Sequence, residues 1–311
     1  MELSVLINQL IQLFILMGVG YFVYKIKIMD ADFNKKLTNF VLKVTLPCMI
    51  IASVFDVAAE ERDYNKVLTA FIVAIIMYAV LPVIGMLVAK IIRCRPENTG
   101  IYVFMTIYSN ASFMGFPVIE SVLGSTALFY ASIFCMIFNI TCFSIGVKAI
   151  NYPEAAGKKI KAKDVFLHPG VWSALIAIIV YFANPALPGV ITGPVTSIGK
   201  LTSAIAMMLM GASLAKVPLK EVFTEVRPYI FIVIKQVIIP VLLWPLLSWA
   251  IADPGILGVT LIMLAMPIAN MVVMFAIEYD RNEELAAKNV FLSTLFSIVL
   301  LPLVLALTYL R

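Results

Sequence analysis

The sequence predicts an all-α polytopic membrane protein: ten transmembrane helices, arranged as two inverted repeats of five. Three observations predict it. Of 311 residues, 62% are hydrophobic and 13% are charged, about half the charged share of a soluble domain. Long apolar segments recur along the whole chain. Lysine and arginine collect on alternate connections between them.

The composition sets the class. A spanning helix needs roughly 20 mainly apolar residues, and ten such helices use about two thirds of this chain. A water-soluble globule of this size would lack the polar residues to cover its surface. A soluble enzyme, a nucleic-acid binder and a disordered regulator are therefore excluded, and no cofactor or nucleic-acid partner is expected. The cysteines Cys48, Cys94, Cys135 and Cys142 form no CxxC pair and have no histidine partner nearby. They are expected to be plain apolar thiols. The N-terminus lacks a basic leader region and a small-residue cleavage site, so its apolar run is read as a retained helix.

The ten segments run over 4–24, 37–55, 67–92, 99–123, 127–150, 166–182, 195–215, 229–251, 256–277 and 285–310. They are too long and too continuously apolar for barrel strands, which alternate. In lipid the backbone must satisfy its own polar groups, which leaves helices. Segments 1, 3 and 10 are uninterrupted apart from Pro82 and Pro302. Segment 2 opens on Lys36-Leu37-Thr38, and Lys200-Leu201-Thr202 stands near the start of segment 7. Pro82, late in segment 3, is matched by Pro245 late in segment 8. The basic connection 151–164 divides the chain into repeats 1–150 and 165–311. Five helices per half is an odd number, so the second half must enter the membrane upside down, as in many secondary transporters.

Orientation follows from the basic residues. Seventeen of the 23 cations lie on the connections after segments 1, 3, 5, 7 and 9. The opposite side carries Arg62, Lys66 and Arg311 beside Asp56, Glu60, Glu61 and Asp63. The five basic connections are expected to face the cytoplasm, with both termini outside a plasma (inner) membrane.

Segment 4 contains Ser109, Asn110, Ser112, Gly115 and Pro117, and segment 9 contains Pro267, Ala269 and Asn270. A proline deep in a helix removes a backbone hydrogen bond and crowds the preceding turn. The fourth helix of each half is thus predicted to be interrupted, and matched interruptions point to a midplane substrate site. Freed N–H groups there would attract anions. The competing reading is a pair of kinks, with Asn and Ser holding helices together. Asn139 in segment 5 is a further polar candidate. Lys43 and Lys235 either snorkel to the headgroups or face the path and favour an anion. Glu120 is either a rim residue or a proton-coupling carboxylate. His168 is expected at the membrane edge, and the methionine-rich stretch 206–212 is read as a pliable packing face.

At these residues the sequence resembles the auxin efflux carrier family, which includes plant PIN carriers and bacterial malate/malonate-type permeases. The resemblance runs over nearly the whole chain. It rests on Asn39-Phe40-Val41 with Leu46-Pro47, on Asn110-x-x-x-Met114-Gly115-x-Pro117, on Pro267 with Phe275-Ala276-x-Glu278-Tyr279, and on Leu301-Pro302. It implies broken, crossing helices 4 and 9, a fold like that of bile-acid symporters and sodium–proton antiporters. It also implies a scaffold of helices 1, 2, 6 and 7, a transport unit of helices 3–5 and 8–10, an elevator-like motion and a homodimer. Val272 stands where the plant carriers have a second proline, so the break in helix 9 is expected to be shifted or milder. The expected function is secondary transport of small organic anions, with a membrane sensor or a channel as alternatives. An intramembrane enzyme is not expected, because no nucleophile–base set appears at membrane depth.

Overall fold

A computed structural model describes residues 3–55, 63–153, 169–215 and 225–309. Every predicted apolar segment contains helix. Segment 1 is α1 (Leu3–Lys25), and segment 2 is α2 (Ala31–Phe40) and α3 (Leu46–Ala52). Segment 3 is α4 (Tyr64–Ile91), and segment 4 is α5 (Thr99–Ile107) and α6 (Phe116–Leu123). Segment 5 is α7 (Ser125–Thr141) and α8 (Val147–Ile150). Then come α9 (Pro169–Ala183), α10 (Gly189–Leu214), α11 (Val226–Val233) and α12 (Ile239–Ala250). Segment 9 is α13 (Pro254–Ala265) and α14 (Met271–Glu278), and α15 (Glu283–Tyr309) closes the chain. Among the described residues the single β feature is an isolated antiparallel bridge between Ser109 and Ile268.

Among the described residues, four helices are by themselves long and apolar enough to cross a bilayer: Tyr64–Ile91, Gly189–Ala212, Val226–Ala250 and Glu283–Thr308. Several segments are divided, and proline explains much of the division. Wider π turns occupy Val41–Thr45, Ala111–Gly115 and Ile234–Ile238. Each ends two residues before a proline: Pro47, Pro117 and Pro240. A proline offers no N–H to the carbonyl four residues back, and one extra residue in the turn relieves the clash. Pro117 therefore widens its helix, and the break lies further upstream.

Two groups of helices are held together differently. α1 and α10 cross backbone to backbone. A Cβ on Gly211 would lie 1.8 Å from the Met17 carbonyl oxygen, and one on Gly20 would lie 2.0 Å from that of Met208. Small residues permit this close approach where the surrounding lipid gives helices no hydrophobic reason to associate. α3 packs against α9 and α10. In the other group α4 packs on α5 and α7, and α15 packs on α11 and α14. Ile72, Ile75, Val83, Leu242 and Leu246 remain exposed on the outer faces of α4 and α12, as lipid-facing helices require. Most of the connection 151–164, and His168, lie outside the described residues.

Candidate functional site

The two interruptions meet. α5 stops at Ile107 and helix resumes at Ala111; α13 stops at Ala265 and helix resumes at Met271. The intervening stretches run antiparallel. Asn110 N–H donates to the Pro267 carbonyl at 2.8 Å, and Ala269 N–H donates to the Tyr108 carbonyl at 3.1 Å. Ile268 N–H donates to Ser293 Oγ on α15 at 3.2 Å. A backbone group left without a partner in the membrane costs several kcal/mol, and each break supplies partners for the other. The break in segment 9 is complete despite Val272, which lies within α14. Gly115 sits just below, its N–H donating to the Asn110 carbonyl at 2.9 Å.

The end of α13 is closed by side chains from segment 8. Helix ends leave carbonyls without partners. Lys235 Nζ donates to the Leu264 carbonyl at 3.3 Å, to the Met266 carbonyl, and to Ser109 Oγ at 2.7 Å. Gln236 Nε2 donates to the intervening Ala265 carbonyl at 3.4 Å. Both side chains belong to the π turn at Ile234–Ile238. Lys235 is 2% exposed and has no carboxylate partner among the described residues. Three acceptors match the three N–H donors of an ammonium.

On the opposite side of Ser109 lies a cavity of about 200 Å³, lined by both breaks together with Thr38, Phe138, Asn139 and Met210. That is below the roughly 300–1,000 Å³ of drug-sized ligand sites and suits a small solute. Asn110 and Asn270 stand at the starts of the resumed helices, where main-chain N–H groups and the helix dipole favour negative charge. The Asn110 carboxamide oxygen accepts from Phe113 N–H at 3.3 Å. Its nitrogen donates to Met210 Sδ at 3.3 Å, and the Asn270 nitrogen lies 3.9 Å from the same sulfur. Two amide donors thus converge on a thioether, which is a weak acceptor. Met274, at the cavity edge, is 67% exposed, and Thr38 follows Lys35 and Lys36. Thr38 and Met274 thus place one edge of the cavity toward the side bearing the basic connections.

Not every predicted residue reaches this cavity. Ser109, Asn110, Ser112, Asn139, Ala269 and Asn270 line it. Ser112 and Asn139 spend polar atoms locally: the Ser112 hydroxyl lies 3.4 Å from Cys135 Sγ, and Asn139 Nδ2 donates to the Cys135 carbonyl at 2.8 Å. Gly115, Pro117 and Pro267 shape the backbone and do not line the cavity. Lys43 is exposed and stands apart. Lys235 touches the crossover from behind, so it does not snorkel. Glu120 lines a separate cavity of about 160 Å³ with Ser53, Thr196 and Lys200, and its carboxylate accepts from Ser203 Oγ at 3.0 Å. The sequence reading missed Met210, taken there for packing. It also missed Gln236, although two adjacent polar residues inside an apolar run were a usable signal.

Comparison with known proteins decides the class. The sequence model of the family described as "Membrane transport protein" matches residues 5–305. The chain belongs to that family. The resemblance to the auxin efflux carriers is borne out with it, and this is a multi-pass membrane transporter rather than an enzyme. The transporter is 24% identical over 293 residues to an uncharacterized transporter of Methanothermobacter thermautotrophicus, covering 93% of this chain and 94% of that one. It is 25% identical to an uncharacterized transporter of Methanocaldococcus jannaschii, covering 93% and 94%. It is 24% identical to a Rhizobium meliloti protein named "Putative malonate transporter", covering 91% and 89%.

Proposed function

We propose that this transporter is a secondary carrier of small organic anions, mono- or dicarboxylates, which bind in the cavity at the helix crossover. One observation carries the reading. Two amide N–H₂ groups, one from each break, converge on a neutral sulfur 3.3 and 3.9 Å away, while a buried ammonium with no carboxylate partner among the described residues donates to Ser109 Oγ. A carboxylate accepts charge-assisted hydrogen bonds and would take the sulfur's place between the amides. The starts of two helices add favourable potential. The Rhizobium relative, named for a dicarboxylate, supports the class.

Transport follows an elevator-like alternating access. Helices 1, 2, 6 and 7 form the scaffold, which the α1–α10 and α3–α10 contacts support. Helices 3–5 and 8–10 carry the crossover. The two repeats are 1–150 and 165–311, joined by 151–164, with both termini outside the plasma membrane and a homodimer as the working form. Met210, on scaffold helix α10, accepts from the two amides, and substrate takes its place.

Uptake of radiolabelled carboxylates and amines into liposomes containing the purified chain tests this reading. Saturable carboxylate uptake is expected. Amine uptake without carboxylate uptake would overturn it, and carboxylate binding without flux would make the protein a sensor.

A further inference from the structure

The oxygen atoms around Lys235 Nζ have a composition that a side chain alone does not require. Leu264 and Met266 present carbonyls at the C-terminal end of a half-helix, and Ser109 presents a hydroxyl from the opposite break. All three ligands are neutral oxygens, all belong to buried residues, and they come from both interrupted segments. Carbonyls of unwound helices and half-helix ends are a common donor set for small cations in secondary transporters, and hard cations take oxygen ligands. We propose that Lys235 is a tethered cation filling a monovalent-cation site at the crossover, so that no metal ion binds there as a co-substrate.

Three features support the assignment. The oxygens sit at the negative end of a helix dipole. The described residues provide no carboxylate to balance a second positive charge, so the cage is matched to a single one. Gln236 meets the adjacent Ala265 carbonyl with a neutral amide, so a cation is not simply what any carbonyl on this helix end receives. A cation covalently fixed to segment 8 moves with the crossover instead of exchanging with either bulk solution. Given the organic-anion reading, on which this consequence rests, the charge of a bound carboxylate is offset without a transported metal ion.

The cage can be emptied. Lys235→Ala removes the side chain beyond Cβ and leaves the three oxygens facing a slot shaped for propylammonium. Lys235→Met refills most of that slot without charge. The full chain is purified and melted at constant ionic strength in tetramethylammonium chloride, an ion with no N–H donor. Sodium, ammonium or propylammonium chloride is then titrated in. A ligand that binds only the folded form raises the melting temperature by mass action. Wild type is expected to show no saturable shift. Lys235→Ala is expected to melt lower and to regain most of the loss saturably with at least one added cation. Lys235→Met is expected to melt lower without responding. A saturable sodium response of wild type would overturn the proposal, and so would indifference of Lys235→Ala to all three cations. If neither variant can be purified, the wild-type titration decides alone. No substrate enters the melting experiment, so failure of carboxylate uptake would count against the organic-anion reading and leave this result standing.

Discussion

Asn110 and Pro267 are joined by a main-chain hydrogen bond of 2.8 Å, across two helices that each stop short to allow it. Neither break satisfies all of its own backbone: Asn110 N–H and Ala269 N–H each need a carbonyl of the other. This interdependence predicts that removing a partner of one break costs more than an ordinary surface hydrogen bond. Ser293→Ala deprives the buried Ile268 N–H of its acceptor. The loss should be about 1–3 kcal/mol of stability, read from chemical or thermal unfolding in detergent. Wild-type stability in that variant would mean that Ile268 finds another partner easily.

The contact between Glu120 on α6 and Ser203 on α10 crosses between the two helix groups on the side away from the cavity mouth. It should favour the form whose cavity opens toward the basic connections. A hydrogen bond to a charged group is worth about 1.5–3 kcal/mol, so Ser203→Ala should shift the balance by roughly 10- to 150-fold. In a background without the native cysteines, a thiol introduced by Thr38→Cys should then be modified more slowly by a water-soluble reagent, in proportion to the fall in the open fraction. An unchanged rate would separate Glu120 and Ser203 from gating.

Gly211 has no room for a methyl group, because its added Cβ would meet the Met17 carbonyl at 1.8 Å. Gly211→Ala should force α1 and α10 apart, at a cost of about 3 kcal/mol or more, beyond the usual range for overpacking. Gly18, which among the described residues has nothing near the position of an added Cβ, is the control: Gly18→Ala should melt no lower than wild type. Similar melting of the two variants would contradict the close packing of these helices.

Met210→Leu keeps the volume and removes the sulfur. A volume-conserving swap costs less than about 1.5 kcal/mol, so the variant should fold. Carboxylate affinity should stay at or above that of wild type, because a ligand no longer competes with the thioether for the amides. A clear fall in affinity would make Met210 a substrate ligand rather than a side chain that substrate displaces.

The helical membrane class was legible because it rests on composition and segment length, which act along the whole chain. The crossover was legible in Asn110, Pro267 and Asn270, since breaks in lipid demand special residues. The place of the first break was not. Pro117 marks a widened turn, and helix resumes at Ala111, several residues earlier. That position depends on pairing with Ile268, a long-range contact invisible to local pattern. Lys235 was visible as an anomaly, but a lysine two turns inside a helix end suits snorkelling equally well. Only the position of α13 directs it to Leu264 and Met266. Met210 was hidden for the opposite reason, because a methionine among methionines carries no polar signal.

The central claim is that the paired amides bind a carboxylate, and the most direct measurement is equilibrium binding of malonate and related carboxylates to purified wild type, Asn110→Asp and Asn270→Ala. Asn110→Asp keeps the oxygen that accepts from Phe113 N–H, so the turn should hold while the amide donor is lost and a repelling charge added. We expect saturable carboxylate binding to wild type. Both variants should fold and bind about 5- to 150-fold more weakly, corresponding to roughly 1–3 kcal/mol, with Asn110→Asp the weaker. Undiminished carboxylate binding in both folded variants would contradict the account and place the substrate away from the crossover.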